Sequence, residues 1–383
     1  MIDSLAIVKS SAAFNLKKML DQRSSLIKYV GSHIPLQIWD NMALGDQTMV
    51  NWSQVRGSIL LAGLLTPFHT QPFATWRDPS QHIIKFVAVE KGVRLEVLDW
   101  GGSGRPAVLL TGAGHTAHVF DGFAPKLAAH CHVYGITRRG FGASGYAPSD
   151  DISARLGEDV LAVIDSLNLR RPVLIGHSIG GVELTWIANN HPNRVAGLVY
   201  LDAGYSYAFD NGKVQNVKEL EAFHVPQPPP PNSADLASFS RLVEYGERIN
   251  GFPFPEAELR QQREMNPDGS VGAQRQFPGE AMITKLIGTP SRYAAIPVPA
   301  LFIFANPHSL GAWYDHSTDP SVRSAARARS AAMESLTTKQ ENAIKSGLPR
   351  ARVVTMPNAN HFVYLSDETE VLRQIDAFLA SPN

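Results

Sequence analysis

Ser178 stands in the run Gly176-His177-Ser178-Ile179-Gly180-Gly181, directly after the apolar residues Val173, Leu174 and Ile175 and before a helical pattern. The spacing G-x-S-x-G predicts a buried strand, a sharp turn and a helix, with the serine hydroxyl lifted above the strand end. Glycines belong on either side because a Cβ there collides with strand or helix, and the turn holds the serine in a strained backbone conformation. A hydroxyl so placed, facing the first amides of the following helix, is a candidate nucleophile. In a purely structural role the same residues make a tight strand-to-helix turn and nothing more.

A second stretch complements the first. Ala107 to Leu110 reads as a short buried strand that ends in Thr111-Gly112-Ala113-Gly114-His115. Neither G-x-x-x-x-G-K nor G-x-G-x-x-G followed by an acid is present, so the loop does not read as a phosphate cradle. Small side chains suit it better to close backbone approach, with the amides of Ala113 and Ile179 collecting charge on a reacting oxygen. Gly112, His115 and His177 are candidates for contact with the substrate. Asp202 closes a further apolar run, Arg194 to Leu201. Active groups in parallel sheets gather at the carboxyl ends of the strands, where Ser178 and Asp202 both fall. A terminal aspartate can also serve as a structural cap.

The elements that must position these groups follow from the patterning. Ile83 to Val89 and Val93 to Leu98 around Lys91-Gly92 predict a hairpin. Helical spacing is read over 123–129, 152–167, 321–346 and 369–379, and strands over 133–137, 298–305 and 353–356. Strand and helix alternating at this pitch argue an α/β fold with a mostly parallel central sheet and right-handed crossovers. Residues 204–294 break that rhythm with the Pro-rich run Pro226 to Pro231, a helix over 234–249 and turn-rich stretches. They read as an inserted cap between core segments 81–203 and 295–383. The aromatic residues Phe239, Tyr245, Phe252, Phe254 and Phe277 are read as cap core or pocket wall. Adjacent Arg138 and Arg139 read as structural donors to loop carbonyls rather than as an anion site.

Composition narrows the classes. The 383 residues carry 35 Lys plus Arg and 35 Asp plus Glu, so no net field invites nucleic acid. The single Cys131 excludes an internal disulfide or a thiolate metal cluster. Among the 13 histidines, His115 and His118 stand three apart and His130 and His132 flank Cys131, without a third ligand at a recognisable spacing. The reading therefore calls for no metal and no cofactor. Residues 1–80 form an N-terminal extension with no recognisable chemistry. Within it, the apolar run 58–65 after Arg56 is too short to span a bilayer but resembles a secretory signal core if translation starts at Met49, although Pro72-Phe73-Ala74 is a poor cleavage site. The sequence thus allows the cytoplasm or, through a signal segment over 49–74, export. It specifies no oligomeric state.

Leu109-Leu110-Thr111-Gly112, Arg139-Gly140-Phe141-Gly142-Ala143-Ser144, Gly176-His177-Ser178-Ile179-Gly180-Gly181 and Asn360-His361-Phe362 recur in order. From about residue 85 to 380 the chain resembles the α/β-hydrolase superfamily, in its esterase-like branch with a cap. The resemblance implies Ser178 as nucleophile, His361 as base, and Ala113 and Ile179 as oxyanion hole. Two departures stand out: Thr111 replaces the usual histidine, and Ala305-Asn306-Pro307-His308 offers no carboxylate where the triad acid commonly follows the seventh strand. A minority of the superfamily takes its acid from the end of the sixth strand, and Asp202 lies 24 residues past Ser178, as in those proteins. Asp315 and Asp319 are the alternatives. The resemblance implies a serine hydrolase acting on a small-molecule carboxylic ester or lactone. The other readings are a non-catalytic small-molecule binder, a peptidase or amidase on the same scaffold and a metal-dependent hydrolase.

Overall fold

The computed structural model describes residues 76–203, 223–287 and 296–381. The signal-like stretch 49–74 lies outside the described residues. The hairpin forms as its sequence predicts: β1 (Ile83–Glu90) and β2 (Val93–Gly101) pair antiparallel, and Gly92 supplies the turn with φ 83°. The chain then runs through β3 (Pro106–Leu110), β4 (His132–Ile136), α1 (Ile152–Ser166), β5 (Val173–His177), α2 (Gly180–Asn190) and β6 (Gly197–Leu201). The stretch read as an insertion follows between β6 and β9, with α3 (Phe239–Asn250), α4 (Glu256–Gln262), the paired strands β7 (Arg263–Met265) and β8 (Val271–Gln274), and α5 (Gly279–Ile287). The core resumes with β9 (Ala300–Ala305), α6 (Pro320–Gly347), β10 (Ala351–Met356) and α7 (Glu368–Leu379).

Among the described residues one sheet has eight strands in the order β1-β2-β4-β3-β5-β6-β9-β10. β2 runs antiparallel to both neighbours and every pair from β4 onward is parallel. The central strands are buried on both faces, which is why they read as continuous apolar runs. On β5, Leu174 belongs to one core cluster with Val160, Val163, Leu184 and Ile344, whereas Val173 and Ile175 belong to another with Phe120, Leu127, Ile375 and Phe378. Each such side chain contributes about 1.5–3 kcal/mol on burial, so this two-sided core fixes the sheet. From β3 the chain steps to β4 on one side, and then β5 joins β3 on the other. A crevice opens at such a switch of strand order, outside the carboxyl ends of β3 and β5.

Boundaries differ from the sequence reading where local hydrogen bonding takes over. β6 begins at Gly197, three residues late, because Pro192–Arg194 forms a helical turn first. The helix expected from 234 begins at Phe239, with Ser238 as its N-cap accepting from the Arg241 amide at 3.2 Å. Asn232 Oδ1 accepts from the Ala234 and Asp235 amides and holds the preceding residues in a turn. Helices α4 and α5 and the β7–β8 pair form where the sequence reading placed no regular element; α5 does so by burying Met282, Ile283 and Leu286.

Candidate functional site

β5 ends at His177, and Ser178 follows with φ 53°, its amide donating to the Leu201 carbonyl at 3.2 Å. The glycines are needed for contact with backbone. A Cβ on Gly176 would lie 2.9 Å from the Gly180 carbonyl carbon, one on Gly180 2.9 Å from the Leu110 oxygen, and one on Gly181 2.6 Å from the Ala203 oxygen. Closeness of this order forces a shift in the main chain, so the turn that lifts Ser178 is dictated by the glycines around it.

The loop after β3 passes beside the serine. A Cβ on Gly112 would come within 3.3 Å of the Ser178 Cβ and 2.7 Å of His177 Nδ1. Thr111, which stands where a histidine is usual, donates its hydroxyl to the His115 carbonyl at 3.1 Å and so ties the loop to itself. Arg138 anchors the loop from below, donating to the carbonyls of Thr111 (2.9 Å) and Gly112 (3.2 Å). The same guanidinium makes a two-pronged bond, 2.8 Å on each side, to Glu183 in the first turn of α2. Burial raises the Glu183 carboxyl and Arg138 opposes that rise. Arg139 grips Asp159 in the same way and also donates to the Ala147 carbonyl. The arginine pair is structural, as its sequence context suggested.

At the neighbouring strand end, Asp202 has φ 45° and is wholly buried. Its Oδ1 accepts from the Ala305 amide at 3.1 Å, and its Oδ2 accepts from His361 Nδ1 at 2.7 Å and His308 Nε2 at 2.8 Å. Burial alone would raise this carboxyl. The attraction and hydrogen bond of His308, then those of His361, outweigh it and hold Asp202 well below the usual carboxylate range. Burial lowers the His361 imidazole, and the Asp202 hydrogen bond and charge recover only part of that drop. A parallel bridge between Ser309 and Asn360 brings the loops after β9 and β10 together, which sets His308 and His361 on one oxygen. The other two carboxylates weighed from sequence are engaged elsewhere: Asp315 accepts from the Ser309 hydroxyl at 2.7 Å, and Asp319 caps α6 through the Ser321 amide at 2.8 Å.

His177 lies beneath this group. Its Nε2 donates to the His361 carbonyl at 3.0 Å, and the two rings are 4.6 Å apart. Burial, then the neighbouring His361, pushes the His177 imidazole well down, so it is a neutral support. His115 donates from Nδ1 to Glu258 Oε1 at 3.0 Å, stacks on Phe254 and meets the edge of Phe362.

The insertion reaches this site by two routes. Glu258 on α4, fully buried, accepts from the Thr116 amide and hydroxyl as well as from His115. Gln262, one turn on, donates to the Gly114 carbonyl at 2.6 Å. Met282, Ile283 and Leu286 of α5 pack with Ala113, Ile179 and Phe141, and Phe277 joins them. Phe239 and Tyr245 belong to the insertion's own core, whereas Phe252 and Phe254 pack with Phe362. Glu258, Gln262, Glu183 and His308 carried no motif. His308 alone had a signal, being a polar residue at the strand end that lacks its usual acid. His118 also departs from its reading: its Nδ1 has two carboxylates within 3.5 Å, Asp121 three residues on and Asp78 brought in by the fold.

The model described as the Alpha/beta hydrolase family matches residues 107–374. A pyrethroid hydrolase of Sphingobium wenxiniae is 33% identical over 101 residues, 25% of this chain and 35% of that protein. A pimeloyl-[acyl-carrier protein] methyl ester esterase of Aeromonas hydrophila is 33% identical over 99 residues, 26% of this chain and 37% of that protein. The chain thus spans less than half the length of these curated relatives. Among solved structures, E-2-(acetamidomethylene)succinate hydrolase superposes with a TM-score of 0.57 at 17% identity, covering 78% of this chain and all of that one, a likeness of fold.

Proposed function

Because the chain belongs to the α/β-hydrolase family, we propose that it is a serine hydrolase that cleaves a carboxylic ester or lactone through an acyl-enzyme, with Ser178, His361 and Asp202 as its triad. The observation that carries this reading is the 2.7 Å hydrogen bond from His361 Nδ1 to Asp202 Oδ2. It fixes the tautomer in which Nε2 is bare and able to take a proton.

The sequence of steps follows from these groups. Ser178 Oγ attacks the acyl carbon as His361 Nε2 accepts its proton, and the imidazolium is stabilised by Asp202. The oxygen that gains charge is met by the amides of Ala113 and Ile179, aimed there by the loop that Arg138 holds and by the start of α2. His361 returns the proton to the departing alkoxide. Water then attacks the acyl-enzyme by the same relay and releases the acid. The insertion acts as the cap, with Glu258 and Gln262 fastening it to the loop after β3 and α5 lying over Ala113 and Ile179. Esterase and hydrolase names among the relatives agree with this chemistry, while acyl and alcohol size are set by the cap.

The test is initial-rate hydrolysis of p-nitrophenyl esters from acetyl to palmitoyl, together with labelling by a fluorophosphonate probe. Wild type is expected to turn over at least one chain length and to label, and Ser178→Ala to do neither. Labelling without turnover on any ester would redirect the reading to an amide substrate. Neither signal in folded protein would leave a binder.

A further inference from the structure

We propose that Asp78, His82, His118 and Asp121 form a binding site for one divalent transition-metal ion of the zinc class, separate from the proposed triad. One ligand atom from each residue lies within 4.8 Å of every other. Three pair distances are 3.8 Å from His82 Nε2 to Asp78 Oδ2, 3.5 Å from His118 Nδ1 to Asp78 Oδ2, and 3.2 Å from His118 Nδ1 to Asp121 Oδ2. A tetrahedron with metal–ligand bonds of about 2.0–2.1 Å has edges of about 3.3–3.4 Å, which these bracket. Two imidazoles and two carboxylates are a donor set suited to zinc.

The surroundings aim the lone pairs inward. Asp121 Oδ1 already accepts from the Ser80 hydroxyl (2.8 Å), Trp100 Nε1 (3.0 Å) and His82 Nδ1 (2.9 Å). Its Oδ2 is thereby turned to the cluster, and His82, protonated on Nδ1, presents a bare Nε2. On the far side of His118, Glu96 Oε1 lies 3.7 Å from Nε2, with Glu96 held through its other oxygen by the Thr137 hydroxyl at 2.7 Å. At 3.7 Å this is a charge contact and not a hydrogen bond, so Glu96 adds negative potential behind the ring.

Charge points the same way. Among the described residues Asp78, Asp121 and Glu96 pair with no lysine or arginine, and the side chains of Asp121 and Glu96 are 6% and 3% exposed. Three carboxylates facing two imidazoles require a cation, which is either protons on the rings or a metal ion between them. Asp78 and His82 both precede β1, and His118 and Asp121 lie just past the loop that follows β3. The ion would clamp the entry of the chain to that loop.

The full chain, stripped with EDTA, is titrated with zinc chloride against a chromophoric competitor, and melting is followed with and without zinc. The proposal expects one zinc per chain and a rise in melting temperature. His82→Gln and Asp78→Asn should each weaken binding by at least about tenfold and abolish the rise, because removing a direct ligand costs no less than removing its outer partner. Asp78 is partly exposed, so its variant keeps the test open if His82→Gln does not fold. His361→Gln should bind as wild type does. Absence of binding in wild type would mean that protons occupy the cluster. Binding unchanged in both cluster variants, or lost only in His361→Gln, would place the ion elsewhere. Each of these three results overturns the proposal.

Discussion

The molecule holds two groups of histidine and carboxylate that balance charge in opposite ways. At the ends of β6, β9 and β10, one carboxylate receives two imidazoles: Asp202 Oδ2 takes both His361 and His308. Beside β1, two imidazoles, His82 and His118, face three carboxylates. In the first group a single negative charge is shared by two rings, and burial lowers the imidazole of His361, which suits the proposed proton relay whose base must be bare at rest. In the second the negative charge exceeds what neutral rings can offset, which suits the holding of a cation. The ratio of carboxylates to imidazoles, more than the residue types, separates the proposed relay from the proposed ion site.

The sharpest break of this comparison is Asp202→Asn. Removing the shared charge leaves the His361 imidazolium unsupported, and kcat is expected to fall by about 10⁴. The Asn can still accept from the Ala305 amide, so circular dichroism should report a folded chain. Asp315→Asn and Asp319→Asn are the controls and should keep nearly full rate, since one carboxylate binds Ser309 and the other caps α6. Full rate in Asp202→Asn would sink the assignment of the acid. A smaller loss is expected from Gly112→Ala, whose methyl would lie 2.7 Å from His177 Nδ1 and push the loop off the serine. Displacing one oxyanion donor costs about 10²–10³ in kcat. A rate unchanged in this variant would mean that Ala113 donates nothing.

How far each region could be read from the sequence differs for a physical reason. The sheet was legible, because strands buried on both faces are continuous apolar runs and the glycines at 176, 180 and 181 are forced by backbone contact. Ser178 and Asp202 fell at neighbouring strand ends for the same cause. The stretch between β6 and β9 reads in the sequence only as a break in rhythm. Its buried Glu258 looks like any helix-surface glutamate until the fold sets it against Thr116 and His115, residues more than 140 positions away. His308 carries no motif of its own, because a histidine after β9 gains meaning only when the fold sets it against Asp202 at the end of β6. The cluster at Asp78, His82, His118 and Asp121 consists of two local pairs, four and three residues apart, and only the fold brings the two pairs together.

The finest distinction within the proposed triad is the part played by His308, and pH separates it from mere packing. His361 must be neutral to accept the serine proton, and burial holds its imidazole below the ordinary value, so the acid limb of kcat/KM should lie below about 6.5. Asp202 favours the charged form of His361 and His308 disfavours it. His308→Gln keeps a donor for Asp202 Oδ2 while removing the ring, so the imidazole of His361 should rise and the acid limb move to higher pH. In Asp202→Asn the favourable charge is lost and the residual limb should move to lower pH. At a pH well above both limbs, His308→Gln should cost no more than about tenfold in kcat, since the hydrogen bond to the acid survives. Limbs that shift in opposite directions in the two variants identify His308 as a positioning residue that tunes the base. A limb unmoved in His308→Gln would reduce His308 to a structural partner of Asp202.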